Sequence, residues 1–255
     1  MSNGVKALRV LKFGSSVLVR PELYRRAAEE VRAEVASGCR VVAVVSAMGE
    51  TTDRLLAAAR AVTDAPDDAL LAALLGTGEE ASVALLAVAL DATGVSVSAF
   101  TRTTVPVRTR GPLQDADPVD VDTDRILSVL ESVEVVVFPG FVGVDAAGTP
   151  SLLGRGGSDL SALFLGHALG AAEIRLVKDV DGIFPGDPRR KAEAGPFAYL
   201  SWEGARRIAG SVVQEKALAF AARHGLGFRV AAPGGRGTWV GTIPETSRVS
   251  ATRAG

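Results

Sequence analysis

The sequence predicts an α/β fold: a mostly parallel sheet covered by helices on both faces. Three observations predict it. Short runs rich in Val, Leu and Ile alternate with longer Ala-, Leu- and Arg-rich segments of helical spacing. The runs "VVAVVS" and "VEVVVF" are near-continuous valine, as strands buried on both faces require. Glycines and polar residues collect where these strands end and helices begin, the edge at which such sheets bind ligands.

The first strand, "LRVLKF" (8–13), runs into Gly14 and Ser15 ahead of a helix over 20–37. A fixed cation, Lys12, beside small residues with open backbone N–H groups suits an anion such as phosphate at a helix N-terminus, although a plain strand–helix turn with a solvated lysine has the same composition. The second strand, "RVVAVVSA" (40–47), is followed by "SAMGETTDRLL", where Ser46 and Gly49 end the strand and Thr52 is a candidate N-cap for a helix over 53–64. In "LLGTGEEASVALLAVAL", Gly78 and Glu79 read as the opening of an apolar helix over 78–93. There a carboxylate favours the dipole whether or not it binds anything.

A third strand, "VSVSAF" (95–100), precedes the Pro-, Asp- and Arg-rich stretch 105–121, expected to link two lobes or cover a cleft. A helix over 122–131 and the strand "VEVVVFPGF" (133–141) follow. "LLGRGGSDLSALFLG" then sets Arg155, two adjacent glycines, Ser158 and Asp159 ahead of a helix starting near Leu160, within the helical stretch 157–169. The glycines let a ligand approach the backbone, and Arg155 can hold a carboxylate through two parallel hydrogen bonds. Asp159 reads either as a helix cap or as a carboxylate orienting cations near a phosphate. The strand "EIRLVKDV" (173–180) leads into "LVKDVDGIFPGDPRR", whose Lys178, Asp179, Asp181, Asp187 and Arg189 are more opposing charges than a structural loop needs. A helix over 200–224, the strand "GFRVAA" (227–232) and a polar tail, 246–255, complete the chain.

Composition narrows the function. Of 255 residues, 47% are hydrophobic and 22% charged, enough for a sizeable core. The formal net charge of -1 gives no electrostatic footprint for nucleic acid or an anionic membrane. Cys39, the single cysteine, excludes an internal disulfide and a cysteine-rich metal site and fits a reducing cytoplasm. Apolar runs such as "ALLAVAL" are short for a bilayer, and the N-terminus lacks a signal-peptide pattern, so a soluble cytoplasmic protein is expected. His167 and His224 have no partner in sequence and receive no catalytic role; Trp202 and Trp239 are assigned to packing.

Taken in order, "LKFGSS", "VVSAMGETTDRLL", "GEEASVALLA", "FPGFVG", "LGRGGSD" and "KDVDGIFPGDPR" resemble the motifs of aspartate kinases in the amino-acid kinase superfamily, from about residue 8 to residue 241. The resemblance implies a three-layer α/β/α sandwich in one domain, 1–245. About 1–145 would bind the acid and about 146–245 would bind ATP. It implies transfer of the γ-phosphoryl group to the side-chain carboxylate of aspartate, with magnesium bridging the β- and γ-phosphates and few protein ligands to the ion. Carried over by motif, Lys12 would stabilise the transferring group, and Gly14 and Ser15 would aim N–H groups at its oxygens. Asp159 would hold Lys12 in place. Arg155 would take the α-carboxylate and Glu79 the α-ammonium, with hydrogen bonds from Ser46, Thr52 and Ser158. Lys178, Asp179, Phe184, Asp187 and Arg189 would line the nucleotide pocket. A homodimer or larger homo-oligomer is implied as well.

The chain departs from the family pattern in four places. Ser15 replaces a glycine, and Val17 replaces a serine, in the first motif. Lys178 stands where threonine is usual. Ser211 stands where a phosphate-contacting lysine is usual, which makes Lys178 and Lys216 candidates to supply that charge. The sequence also stops where the family usually continues into a pair of small regulatory domains, so feedback inhibition through such domains is not expected from it. Two other readings stay open: a kinase for another small carboxylate or phosphonate, with Arg102, Arg108 and Arg110 near the acid, and a non-catalytic binder of nucleotide or oxoanion.

Overall fold

Alternation along the strands decides which layer each residue serves. The computed structural model describes residues 6–185, 195–208 and 212–242. In chain order its elements are β1 (Leu8–Phe13), α1 (Leu23–Ala36), β2 (Arg40–Val45), α2 (Thr51–Val62), α3 (Asp68–Asp91), β3 (Val97–Ala99), β4 (Arg108–Arg110), β5 (Asp117–Asp120) and α4 (Thr123–Ser132). They continue with β6 (Val135–Pro139), β7 (Val142–Val144), β8 (Pro150–Leu152), α5 (Gly157–Ala168), β9 (Glu173–Val177), β10 (Tyr199–Leu200), α6 (Trp202–Ile208), α7 (Glu215–Arg223), β11 (Phe228–Ala231) and β12 (Thr238–Val240).

Among the described residues eight strands form the main sheet in the order β10-β12-β11-β9-β1-β2-β6-β3. Its neighbours run parallel except for the β11–β12 pair. Val10, Val42, Val44, Val136, Phe138, Ile174 and Leu176 pack with α4, α5 and α7 on one face. The intervening residues Leu11, Phe13, Val41, Ala43, Val45, Val135, Val137 and Val177 pack with α1 and α3 on the other. Helix, sheet and helix are therefore three layers, as the sequence predicts, and period-two alternation divides two buried cores between them.

Three elements differ from expectation. The stretch 105–121 contributes β4 and β5 to a second sheet, β5-β4-β7-β8, whose strands are too short to give a periodic signal. The helix expected at 78–93 begins at Asp68, where the Asp67 carboxylate accepts from the N–H groups of Ala69 and Leu70. By length and composition this 24-residue helix is apolar enough to cross a membrane. Here Val83, Leu86 and Leu90 pack into the core, while Ala72 and Leu75 pack on Val142 and Leu152 of the second sheet. Residues 200–224 form two helices, α6 and α7, rather than one. The tail 246–255 lies outside the described residues.

Candidate active site

Strand register builds the site before any side chain is considered. Lys12 pairs with Val44 of β2 and Leu176 of β9 in parallel register. It is in phase with Val10, so it faces α5, and it stands near the carboxyl end of its strand. Ser46 and Lys178 follow the same alternation two residues beyond Val44 and Leu176. The first turn of α5 sits over these strand ends and carries Asp159. The three side chains nearest the chemistry are thus placed by β1, β9 and a helix N-terminus, where a carboxylate is favoured by the dipole.

Lys12 Nζ lies 2.8 Å from Asp159 Oδ1, and Lys178 Nζ lies 2.7 Å from Asp159 Oδ2. Lys12 and Asp159 are 5% and 3% exposed. Burial alone would raise the Asp159 pKa, but the ammonium groups of Lys12 and Lys178 outweigh it and hold the carboxyl below its ordinary value. Lys12 moves down: burial dominates and Lys178 adds repulsion, against the attraction of Asp159. Two ammonium groups on one carboxylate leave a unit of positive charge in excess, and each lysine keeps N–H donors unspent on Asp159. Such a centre is built to receive an anion.

A cleft of about 420 Å³ opens over this centre. Ser15, Ser46 and Thr52 line one wall, and Arg155 and Ser158 the glycine-rich turn opposite. Glu79 also lines it, 2% exposed, with Oε2 buried and unpaired. Burial pushes its pKa up to about 8, against the opposing pull of Lys12 and the Ala47 main-chain N–H. Arg155 is exposed and has no ion-pair partner among the described residues. A guanidinium and a carboxyl group therefore flank the lysine centre, the Arg155 cation and one Glu79 oxygen being unspent.

The family model for the amino acid kinase family matches residues 7–231. The chain belongs to the amino acid kinase family. This kinase domain is 38% identical over 224 residues to the aspartokinase of Mycobacterium tuberculosis H37Rv, covering 86% of this chain and 53% of that protein. It is 34% identical over 223 residues to an aspartokinase of Thermus thermophilus, covering 86% of this chain and 55% of that protein. Among solved structures, aspartate kinase from Synechocystis superposes with a TM-score of 0.79 at 30% identity, covering 93% of this chain and 40% of that one. The chain spans about half the length of the curated relatives it matches.

Within this amino acid kinase, several residues named from sequence stand apart from the expected position. Glu79 does not open a helix; it lies in the middle of α3, so its presence owes nothing to a helix N-terminus. Thr52 is not a cap, because α2 begins at Thr51 with no side-chain cap, and its side chain is left to the cleft. Asp159 is not a cap either: Gly156 holds that position. Gly14 lies behind Lys12, where a Cβ would come within 3.1 Å of Nζ. Asp179 is exposed and Phe184 half-buried on the turn after β9, outside the cleft wall. Asp187, Arg189 and Ser211 lie outside the described residues.

The ammonium of Lys216 is engaged by Asp115, Ala116 and Leu153 and does not line the cleft, whereas Lys178 does. The arginines of 101–116 do not reach the cleft wall: Arg102 pairs with Glu80, and Arg108 and Arg110 are exposed on β4. Sequence reasoning missed Asp53, Phe141, Val212 and Gln214, all of which line the cleft. Phe141 carried one available signal, a position between glycine and a strand in "FPGFVG"; its φ is 69°, the left-handed region that a bulky residue rarely adopts.

Proposed function

We propose that this chain transfers the γ-phosphoryl group of ATP to the side-chain carboxylate of L-aspartate, giving 4-aspartyl phosphate and ADP. The observation that carries it is the shared Asp159: one carboxylate holding Lys12 and Lys178, with an amino-acid clamp of opposite charges, Arg155 and Glu79, on the same cleft. The aspartokinase relatives support the choice of acid.

In this reading Lys12 and Lys178 neutralise the charge that develops on the transferring group, and Asp159 holds them in place without taking a proton, since a carboxylate nucleophile has none to give. Gly14 and Ser15 aim backbone N–H groups at the oxygens of the transferring group. Arg155 takes the α-carboxylate, Glu79 the α-ammonium, and Ser46, Thr52 and Ser158 add hydrogen bonds. We assign the acid to about 1–145 and the nucleotide to about 146–245, with Asp179, Phe184, Asp187 and Arg189 on the nucleotide side. Magnesium would be carried by the nucleotide, with few protein ligands, and would offset phosphate charge there. We further infer a cytoplasmic homodimer serving amino-acid biosynthesis.

The test is ATP consumption across a panel of amino acids and small acids, with hydroxylamine trapping any acyl phosphate. Aspartate-dependent hydroxamate supports the reading. Turnover only with another carboxylate or phosphonate, or nucleotide binding without turnover, overturns it.

A further inference from the structure

Lys216 occupies the first turn of α7, the end of a helix that disfavours a cation. Its ammonium is compensated by other segments. It donates to the main-chain carbonyls of Ala116 at 2.9 Å, Asp115 at 3.2 Å and Leu153 at 3.2 Å. Asp115 Oδ1 lies at 2.8 Å and Asp117 Oδ1 at 3.2 Å. Five oxygens around a nitrogen with three protons outnumber its N–H directions. Such an array is the donor set of a monovalent-cation site, filled here by a tethered cation.

The oxygens come from two places in the chain. Asp115 and Ala116 lead into β5, which Asp117 opens, and Leu153 is the last residue before the Gly154–Gly157 turn. The same neighbours press on that turn. A Cβ on Gly154 would lie 2.0 Å from Asp115 Oδ1, and a Cβ on Gly156 would lie 2.4 Å from Gln214 Cβ. Both glycines have positive φ, 74° and 73°, so the turn is held in a conformation that other residues resist. Arg155 lies between them.

We propose that Lys216 is a positioning residue: its ammonium fills a cation seat that pins the Gly154–Gly157 turn to α7 and so sets the reach of Arg155 toward the acid substrate. Without the ammonium, three carbonyl dipoles and two carboxylates face one another and separate, carrying Leu153 with them. A displacement of about 1 Å at a group that holds the substrate is enough to weaken its contact with that substrate. The kinetic part of this proposal rests on the function proposed above; the seat itself does not.

The experiment uses Lys216→Met in the full chain, which keeps the apolar stem and removes the charge. Thermal unfolding is followed in ammonium, potassium and tetramethylammonium chloride at equal ionic strength. The variant is expected to melt below the parent and to be raised by about 3 °C more in ammonium or potassium than in tetramethylammonium, while the parent shows no such preference. Kinetically, its KM for aspartate is expected to rise about tenfold with kcat within about threefold of the parent, and ammonium to restore it. An equal thermal response to all three salts, or an unchanged KM, overturns the proposal. If the parent turns over no aspartate, the functional reading fails and the ion-selective stabilisation still decides the seat. Should Lys216→Met not fold, Asp115→Asn replaces it: a KM raised about threefold supports the seat, and an unchanged one overturns it.

Discussion

Lys12 and Lys178 divide one carboxylate between them, each ammonium on its own oxygen of Asp159, at 2.8 and 2.7 Å. The pair comes from neighbouring parallel strands, and the carboxylate from the helix packed over them. Removing the carboxylate leaves two like charges buried side by side. Asp159→Asn is therefore expected to lower stability by about 3 kcal/mol, the usual cost of stranding a buried charge, and to lower kcat by about two orders of magnitude. Denaturant unfolding and steady-state kinetics on one preparation check both.

Lys178 separates two accounts of the missing lysine at Ser211. With Lys178 on the shared carboxylate, Lys178→Met should lower kcat about a hundredfold and raise the KM for ATP, leaving the KM for aspartate near the parent value. A variant with parental kcat and ATP affinity would remove Lys178 from the reaction centre.

Glu79 predicts a pH dependence with a definite sign. Its folded-state pKa is about 8, raised by burial from an ordinary value of 4.5. The substrate ammonium pairs with the ionised form, so the KM for aspartate should fall as pH rises from about 6 to about 8 and level off above, by close to tenfold per unit on the steep part. Stability runs the other way. The folded state holds this proton more tightly than the unfolded chain, so the contribution is complete below 4.5 and is lost as pH rises to about 8. Glu79→Gln should flatten both trends, with KM near the parent's value at about pH 6 and well above it at about pH 8, while making the protein the more heat-resistant of the two at about pH 9.

Arg155 offers the complementary case. It is exposed and unpaired among the described residues, so Arg155→Ala should leave the melting temperature nearly unchanged. Its loss should appear as an aspartate KM raised about a hundredfold, with Arg155→Lys recovering only part because a lysine cannot make the paired contact. Isothermal titration with aspartate provides the independent check.

The strands with dense valine and the polar residues at their ends were legible because burial on both faces and ligand binding each demand a particular local composition. Lys12, Asp159 and Arg155 could be named from those ends. The position of Glu79 within its helix was not, because "LLGTGEE" offers two glycines that resemble a turn, while the true start is the Asp67 cap after Pro66. The break between α6 and α7 was hidden by apolar spacing that continues through it. Asp53 and Gln214 carry no pattern at all; tertiary packing alone brings them to the cleft. Lys216 and Lys178 were equivalent as letters, and only the direction of each side chain tells them apart.

The two-residue alternation of the main sheet has a consequence for errors in assembly. Val10 and Lys12 project to one side, Leu11 and Phe13 to the other. A slip of β1 by a single position against β2 or β9 would thrust the lysine among the side chains of α1 and α3 and would expose the strand's apolar partners to the wrong layer. A one-position slip thus forfeits cohesion and chemistry together, so the packing that holds β1 in register also guards the place of the lysine.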